Sequence, residues 1–219
     1  AAIVELAEQC GALVLADLAY VEFADDDPTR RLLASENVVC VRTMSKAHGM
    51  AGLRTGCAIA SEPVARWLRA VGGPYPVSGP ALTLAAGRLA DGTGSARAID
   101  AVRAGRDEIA AALGRWGMRP IESQANFVTA YDRRSGWLLD ALRGLGIAVR
   151  GIPPANGLGP GGVRVTVPAS ESDRARVTRG ISAALSPEAV LFDMDGVLAD
   201  VTRSYRASII QTAESFGVS

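Results

Sequence analysis

This 219-residue sequence has almost no amine or imidazole side chains: Lys46 is its only lysine, His48 its only histidine, and every other member of its 23 Lys+Arg residues is arginine. Any chemistry that needs a side-chain primary amine falls to Lys46. Cysteine is scarce as well. Cys10, Cys40 and Cys57 are odd in number, far apart and set in apolar stretches, which argues against a disulfide framework or a cysteine metal site and predicts reduced core thiols. Net charge is zero, so there is no general electrostatic attraction to nucleic acid or to an anionic membrane. No run approaches the roughly 18 apolar residues of a membrane span, and the N-terminus lacks the basic and cleavage-site pattern of a signal peptide. A cytoplasmic protein is expected, with neither nucleic acid nor membrane as partner. Internal repeats and low-complexity segments are absent too.

What is present is an ordinary globular composition, 48% apolar and 21% charged, enough for one large domain or two small ones. The first elements alternate between helix and strand. Residues 2–10 read as an amphipathic helix closed by Gly11, Ala12 to Ala16 and Val38 to Arg42 as strands, and Cys57 to Ala60 as a third strand. A helix follows at Glu62 to Ala70, with Ser61 as its cap and Pro63 in its first turn. Such alternation predicts a parallel sheet covered by helices. The acidic run Asp25-Asp26-Asp27-Pro28 lacks the alternating spacing of a calcium loop and reads as a solvated turn. Helices are expected at about 81–90 and 95–116, the second long enough to bridge two subdomains.

The most informative stretch is Thr43-Met44-Ser45-Lys46-Ala47-His48-Gly49-Met50-Ala51-Gly52-Leu53-Arg54-Thr55-Gly56. Lys46 sits among small and apolar residues with Arg54 nearby, a setting in which a lysine becomes nucleophilic toward carbonyls. Gly49, Ala51, Gly52 and Gly56 allow backbone close to a ligand, while Thr43, Ser45 and Arg54 supply donors suited to a phosphate. Asp17 ends the strand-like run from Ala12, and Lys46 follows the one ending at Arg42. Both therefore belong at the carboxyl ends of strands, where open α/β sheets bind ligands. His48 reads better as a packed side chain than as part of the pocket.

The lysine stretch resembles the cofactor-lysine signature of the fold type I aminotransferases that use pyridoxal phosphate, in particular the histidinol-phosphate aminotransferase branch of class I/II. Asp17-Leu18-Ala19-Tyr20 resembles the D-E-A-Y segment of that family, with Leu18 in place of the usual acid. The resemblance implies that Asp17 pairs with the cofactor's pyridinium nitrogen, that Tyr20 hydrogen-bonds its phenolic oxygen and that Lys46 forms the imine. It places Ser45, Arg54 and Thr43 on the phosphate. It also implies a homodimer.

From about residue 118 the pattern becomes α+β. Strands are expected at Asn126 to Tyr131, Ile147 to Arg150 and Val163 to Val167, with helices at Ser135 to Gly144 and Glu171 to Leu185. Ser123-Gln124-Ala125-Asn126-Phe127-Val128 resembles the family's S-x-A-N-F-V strand, Val163-Arg164-Val165-Thr166-Val167 its L-R-I-T-x strand, and Gly72 to Pro80 its P-Y-N-V-S connection, from which Pro76 departs. An arginine within an apolar alternating strand is costly unless its charge is paired, so Arg164 is expected to meet a carboxylate or a phosphate. By resemblance Arg164 holds the substrate's anionic group, with Arg150 as a second arginine.

Beyond Ser186-Pro187, Ala189-Val190-Leu191-Phe192-Asp193-Met194-Asp195-Gly196 is an apolar run leading into D-x-D-G, which resembles the first motif of the haloacid dehalogenase (HAD) phosphohydrolases. By resemblance Asp193 is a nucleophile and Asp195 an acid/base, both beside Mg2+. The later HAD motifs have no room to occur. The expected organisation is a partial large domain over 1–90, a small aminotransferase domain over 91–186 and the start of a HAD-like domain over 187–219, as an internal piece of a longer fusion. The expected fold class is α/β for the large domain and α+β for the small one. The expected chemistry is transamination between an amino acid or amino-alcohol phosphate and a 2-oxo acid. A HAD phosphatase with a silent cofactor part, a decarboxylase of similar fold and a non-catalytic module are the other readings.

Overall fold

The computed structural model describes residues 2–154, 159–186, 189, 200 and 205–217. It divides into two compact units, Ala1–Leu185 and Ser186–Ser219. The first unit contains two sheets. Helix α1 (Ala2–Gln9) stops where Gly11 takes the left-handed conformation, and β1 (Val14–Asp17) follows. β1 lies parallel to β2 (Val38–Thr43), with Val14 opposite Val38 and Asp17 opposite Val41. Val38, Val39 and Cys40 make β2 the buried centre of the order β1-β2-β3. A four-residue helix, α2 (Thr29–Leu32), stands in the connection.

The third strand corrects the parallel expectation. β3 (Gly56–Ala60) runs antiparallel to β2, because a parallel neighbour needs a crossover and residues 44–55 instead double back on themselves. Met44 N donates to Thr55 O and Met50 N to Met44 O. Gly56 is required at this junction, since a Cβ there would lie 2.5 Å from Arg42 O. The helices α3 (Glu62–Val71) and α4 (Gly79–Asp91) follow. Ser78 caps α4, whereas Ser61 does not cap α3: its hydroxyl donates to Glu36 O and so ties the helix start to the β2 side. The thiols also depart from expectation. Cys40 is buried, but Cys10 and Cys57 are exposed, one just past the end of α1 and the other on an outer strand.

Helix α5 (Thr93–Arg115) packs on the 3-10 turn Val21–Phe23 beside the first sheet, and against the second sheet as well. At 23 residues it is about 35 Å long, which is the reach such bridging needs. The second sheet has the order β4-β5-β7-β6, all neighbours antiparallel. Its strands are β4 (Arg119–Ile121), β5 (Phe127–Tyr131), β6 (Arg150–Ile152) and β7 (Gly162–Thr166), with α6 (Ser135–Gly144) and α7 (Glu171–Leu185). β6 begins where a strand over Ile147 to Arg150 was expected to end. Ile147 belongs instead to the close of α6, its amide bonded to Leu142 O, and its side chain enters the core.

Strand alternation gives the second sheet two unlike faces. Val128, Ala130, Val163 and Val165 are buried with Ile109 and Leu113 of α5, Leu138 and Leu142 of α6 and Ile181 of α7. The other face carries Phe127, Thr129, Tyr131, Arg164 and Arg150. In the second unit the described helix is α8 (Tyr205–Ser215). Asp193 and Asp195 lie outside the described residues. No helix among the described residues is long and apolar enough to cross a membrane.

Leu113 is fully buried where α5 meets the second sheet's core. Leu113→Ala should cost about 2–5 kcal/mol, read as a lowered urea midpoint, whereas Leu82→Ala on the exposed face of α4 should shift it little. Equal effects at the two sites would contradict this packing.

Candidate active site

Parallel pairing sets the carboxyl ends of β1 and β2 side by side. Asp17 is the last residue of β1, with an exposed carboxylate whose Oδ1 accepts from Ala19 N at 3.0 Å. That bond fixes the direction of the carboxylate without neutralising it. Tyr20 follows, half-buried and packed against the core. Its ring meets Phe127 edge-on, with centroids 5.3 Å apart and planes at 86°. Lys46, on the loop leaving β2, holds its ammonium 5.4 Å from the centroid of the same ring. Asp17 and Tyr20 also share an open cavity of ≈ 440 Å³ with Leu18, Ser123 and Gln124. Tyr20 is therefore the common member, lining the cavity with Asp17 and lying beneath Lys46.

The side chain of Lys46 is exposed, which corrects the crowded apolar setting expected from the sequence. Its neighbours Met44 and Ala47 take the buried positions instead, so they anchor the loop while the lysine stands clear. The Thr43 hydroxyl accepts from Ser45 N at 3.1 Å and so shapes the loop. Arg54 adopts the left-handed conformation at φ 52°, and its guanidinium bonds Ala51 O at 3.0 Å. A non-glycine residue in that region costs about 1 kcal/mol, a strain typical of functional turns.

His48 is packed, as expected, with Nδ1 3.2 Å from Ser95 Oγ and Nε2 3.9 Å from Glu22. Glu22 also meets Arg42 at 3.0 Å, and Arg42 meets Asp27 at 3.2 Å. This network escaped the sequence reading. Its one trace there was an arginine closing the apolar run of β2.

On the second sheet, Arg164 stands directly opposite Arg150 in the β6–β7 register. Arg150 is exposed. The Arg164 guanidinium lies 4.8 Å from the Phe127 ring centroid, and its Nε is buried without a hydrogen-bond partner. No carboxylate pairs with Arg164 among the described residues. Like charges facing each other across strands repel, so this pair is suited to an anion that meets both. The two arginines share a face; Asp17, Tyr20 and Lys46 share the other end of the Tyr20–Phe127 contact. Among the described residues, no group of His, Cys, Asp or Glu could hold a metal ion.

The sequence profile of the family described as Aminotransferase class I and II matches residues 1–182. The chain belongs to the class I and II aminotransferase family. Histidinol-phosphate aminotransferase 1 of Legionella pneumophila (strain Lens) is 31% identical over 151 residues, 66% of this chain and 41% of that protein. The histidinol-phosphate aminotransferase of Geobacter sulfurreducens is 34% identical over 148 residues, 67% of this chain and 42% of that protein. Among solved structures, histidinol-phosphate aminotransferase from Sinorhizobium meliloti, in complex with pyridoxal-5'-phosphate, has the same fold with a TM-score of 0.74 at 24% identity, over 85% of this chain and 53% of that one. The chain spans about half the length of these aminotransferases.

The Thr29 hydroxyl, helped by the Thr29 amide and by Arg42, holds the Asp27 carboxyl below its ordinary value of 3.8, against the opposing effect of partial burial. A depressed acid stabilises the fold above its unfolded pKa and loses that contribution as pH falls through the folded one. Asp27→Asn should therefore be less stable than the unaltered protein at pH 7, with the gap closing below pH 3.8 in a thermal-unfolding series. A gap that persists at low pH would contradict the linkage.

Proposed function

We propose that this chain carries cofactor- and substrate-binding residues of a pyridoxal-phosphate-dependent aminotransferase, most like histidinol-phosphate aminotransferase, which works as a homodimer in the cytoplasm. The carrying observation is the sole lysine of the sequence standing over the Tyr20 ring at the strand end that Asp17 closes. The residues present fit the cofactor: an amine, a directed and uncompensated carboxylate, a phenol, and the strand-end Thr43 with Ser45 and Arg54 of the following loop as phosphate donors. Lys46 would hold the cofactor through Nζ, and once the donor's amine has taken its place the freed Nζ would take the α-proton from the donor and return it. Asp17 would hold a proton on the ring nitrogen, and Tyr20 would orient the phenolic side. When bound, pyridoxal phosphate supplies the electron sink that makes the α-proton removable.

Arg164, aided by Arg150, grips the anionic end of an amino acid or amino-alcohol phosphate, and the acceptor is a 2-oxo acid. The buried, unpartnered Arg164 Nε and the facing Arg150 support this, because an anion would offset both the lost hydrogen bond and the repulsion. In domain terms, residues 1–90 belong to the cofactor-binding domain and 91–186 to the small domain. Residues 187–219 begin a HAD-like phosphohydrolase in which Asp193 and Asp195 would hold Mg2+ and act as nucleophile and acid/base. This last part rests on the D-x-D-G run alone.

Borohydride reduction of the whole protein incubated with pyridoxal phosphate should fix the cofactor on the peptide containing Lys46, and Lys46→Ala should abolish both the label and transamination. Arg164→Ala should raise KM for a phosphorylated donor about tenfold or more, since a charge-assisted bidentate contact is lost. Label on another residue would overturn the assignment, and release of carbon dioxide instead of a 2-oxo acid would turn it toward a decarboxylase. Asp193→Asn with transamination intact and phosphatase activity lost would show the two chemistries to be independent.

A further inference from the structure

Among the described residues, no carboxylate holds the Arg164 guanidinium in place. Its Nε has no partner, and the residue directly across from it on β6 is another arginine. What lies against it is the Phe127 ring, 4.8 Å from the guanidinium carbon to the centroid. The register explains the contact: Thr129 is opposite Arg164 and Phe127 is opposite Thr166, so the ring is a diagonal neighbour on the same face. The ring is braced in turn. It meets Tyr20 edge-on at 5.3 Å, and Tyr20 carries the Lys46 ammonium at 5.4 Å. Two aromatic rings in series, Phe127 and then Tyr20, thus stand between the Arg164 cation and the Lys46 amine.

We infer that Phe127 is a positioning residue, which sets the place and tilt of Arg164 relative to Lys46 and so the reach between a substrate's anionic group and its reacting amine. This rests on the function proposed above. An aromatic face attracts a guanidinium while using none of its five N–H donors. A carboxylate in the same place would orient the arginine equally well but would consume the charge that the substrate needs. The phenyl ring also has few torsions to freeze, so it is a stiff support for a long arginine side chain. An aliphatic side chain would retain apolar contact but offer the cation no face.

The test uses the whole protein loaded with pyridoxal phosphate and two donors, histidinol phosphate and histidinol, which differ only in the phosphate. Phe127→Leu should raise KM for the phosphorylated donor about tenfold, leave kinetics with histidinol within about twofold and leave the Lys46 label unchanged. Phe127→Tyr, which keeps the ring, should stay within about twofold for both donors. In an Arg164→Ala background, Phe127→Leu should have no further effect on the phosphorylated donor. Equal slowing with both donors, or an undiminished effect without Arg164, would overturn the inference. Should the leucine variant not fold, Phe127→Met is read in the same way. Failure of the unaltered protein to take label on Lys46 is a separate outcome, which sinks the proposed function and this inference with it.

Discussion

The arrangement depends first on the parallel pairing of β1 and β2. Parallel strands end at the same side of a sheet, and that alone brings Asp17 and the Lys46 loop, far apart in sequence, to one end of the sheet. Antiparallel pairing would have put them at opposite ends. The buried run Val38, Val39 and Cys40 holds the pair together, and the ion pairs from Arg42 to Glu22 and Asp27 tie the end of β2 to the segment that follows Tyr20.

The second requirement is a fixed relation between the two sheets, and α5 supplies it. Arg106 donates to Phe23 O at 3.2 Å and to Ala125 O at 3.1 Å, so one guanidinium joins the segment after Tyr20 to the one before Phe127. Asp25 and Gln124 exchange hydrogen bonds at 2.8 and 2.9 Å beside it. These contacts stand behind the edge-on meeting of Tyr20 and Phe127. Neutral main-chain acceptors suit this purpose, because they hold the arginine without bringing another charge toward the site.

Much of this was legible in the sequence. The lysine stretch, the strand ending in Asp17 and the arginine within an apolar strand each stand out because they break a local rule: a lone amine, a charge at a strand end, a charge inside a sheet. What could not be read depends on contacts across long separations. The antiparallel turn of β3 follows from how residues 44–55 double back, and the true start of β6 from Ile147 being drawn into the core. Local pattern carries neither. Phe127 looked like one more apolar strand residue, and only the register of β5 and β7 reveals that its ring reaches Arg164. The exposure of Lys46 was likewise hidden, because small apolar neighbours in sequence need not be neighbours in space.

A crystal structure of the whole protein grown with pyridoxal phosphate is the most direct measurement of the central claim, that Lys46, Asp17 and Tyr20 form one cofactor site. The expected density runs unbroken from Lys46 Nζ into the cofactor, with the Asp17 carboxylate within hydrogen-bond distance of the ring nitrogen. Cofactor bound elsewhere, or a free Lys46 with Asp17 turned away from the ring, would contradict it.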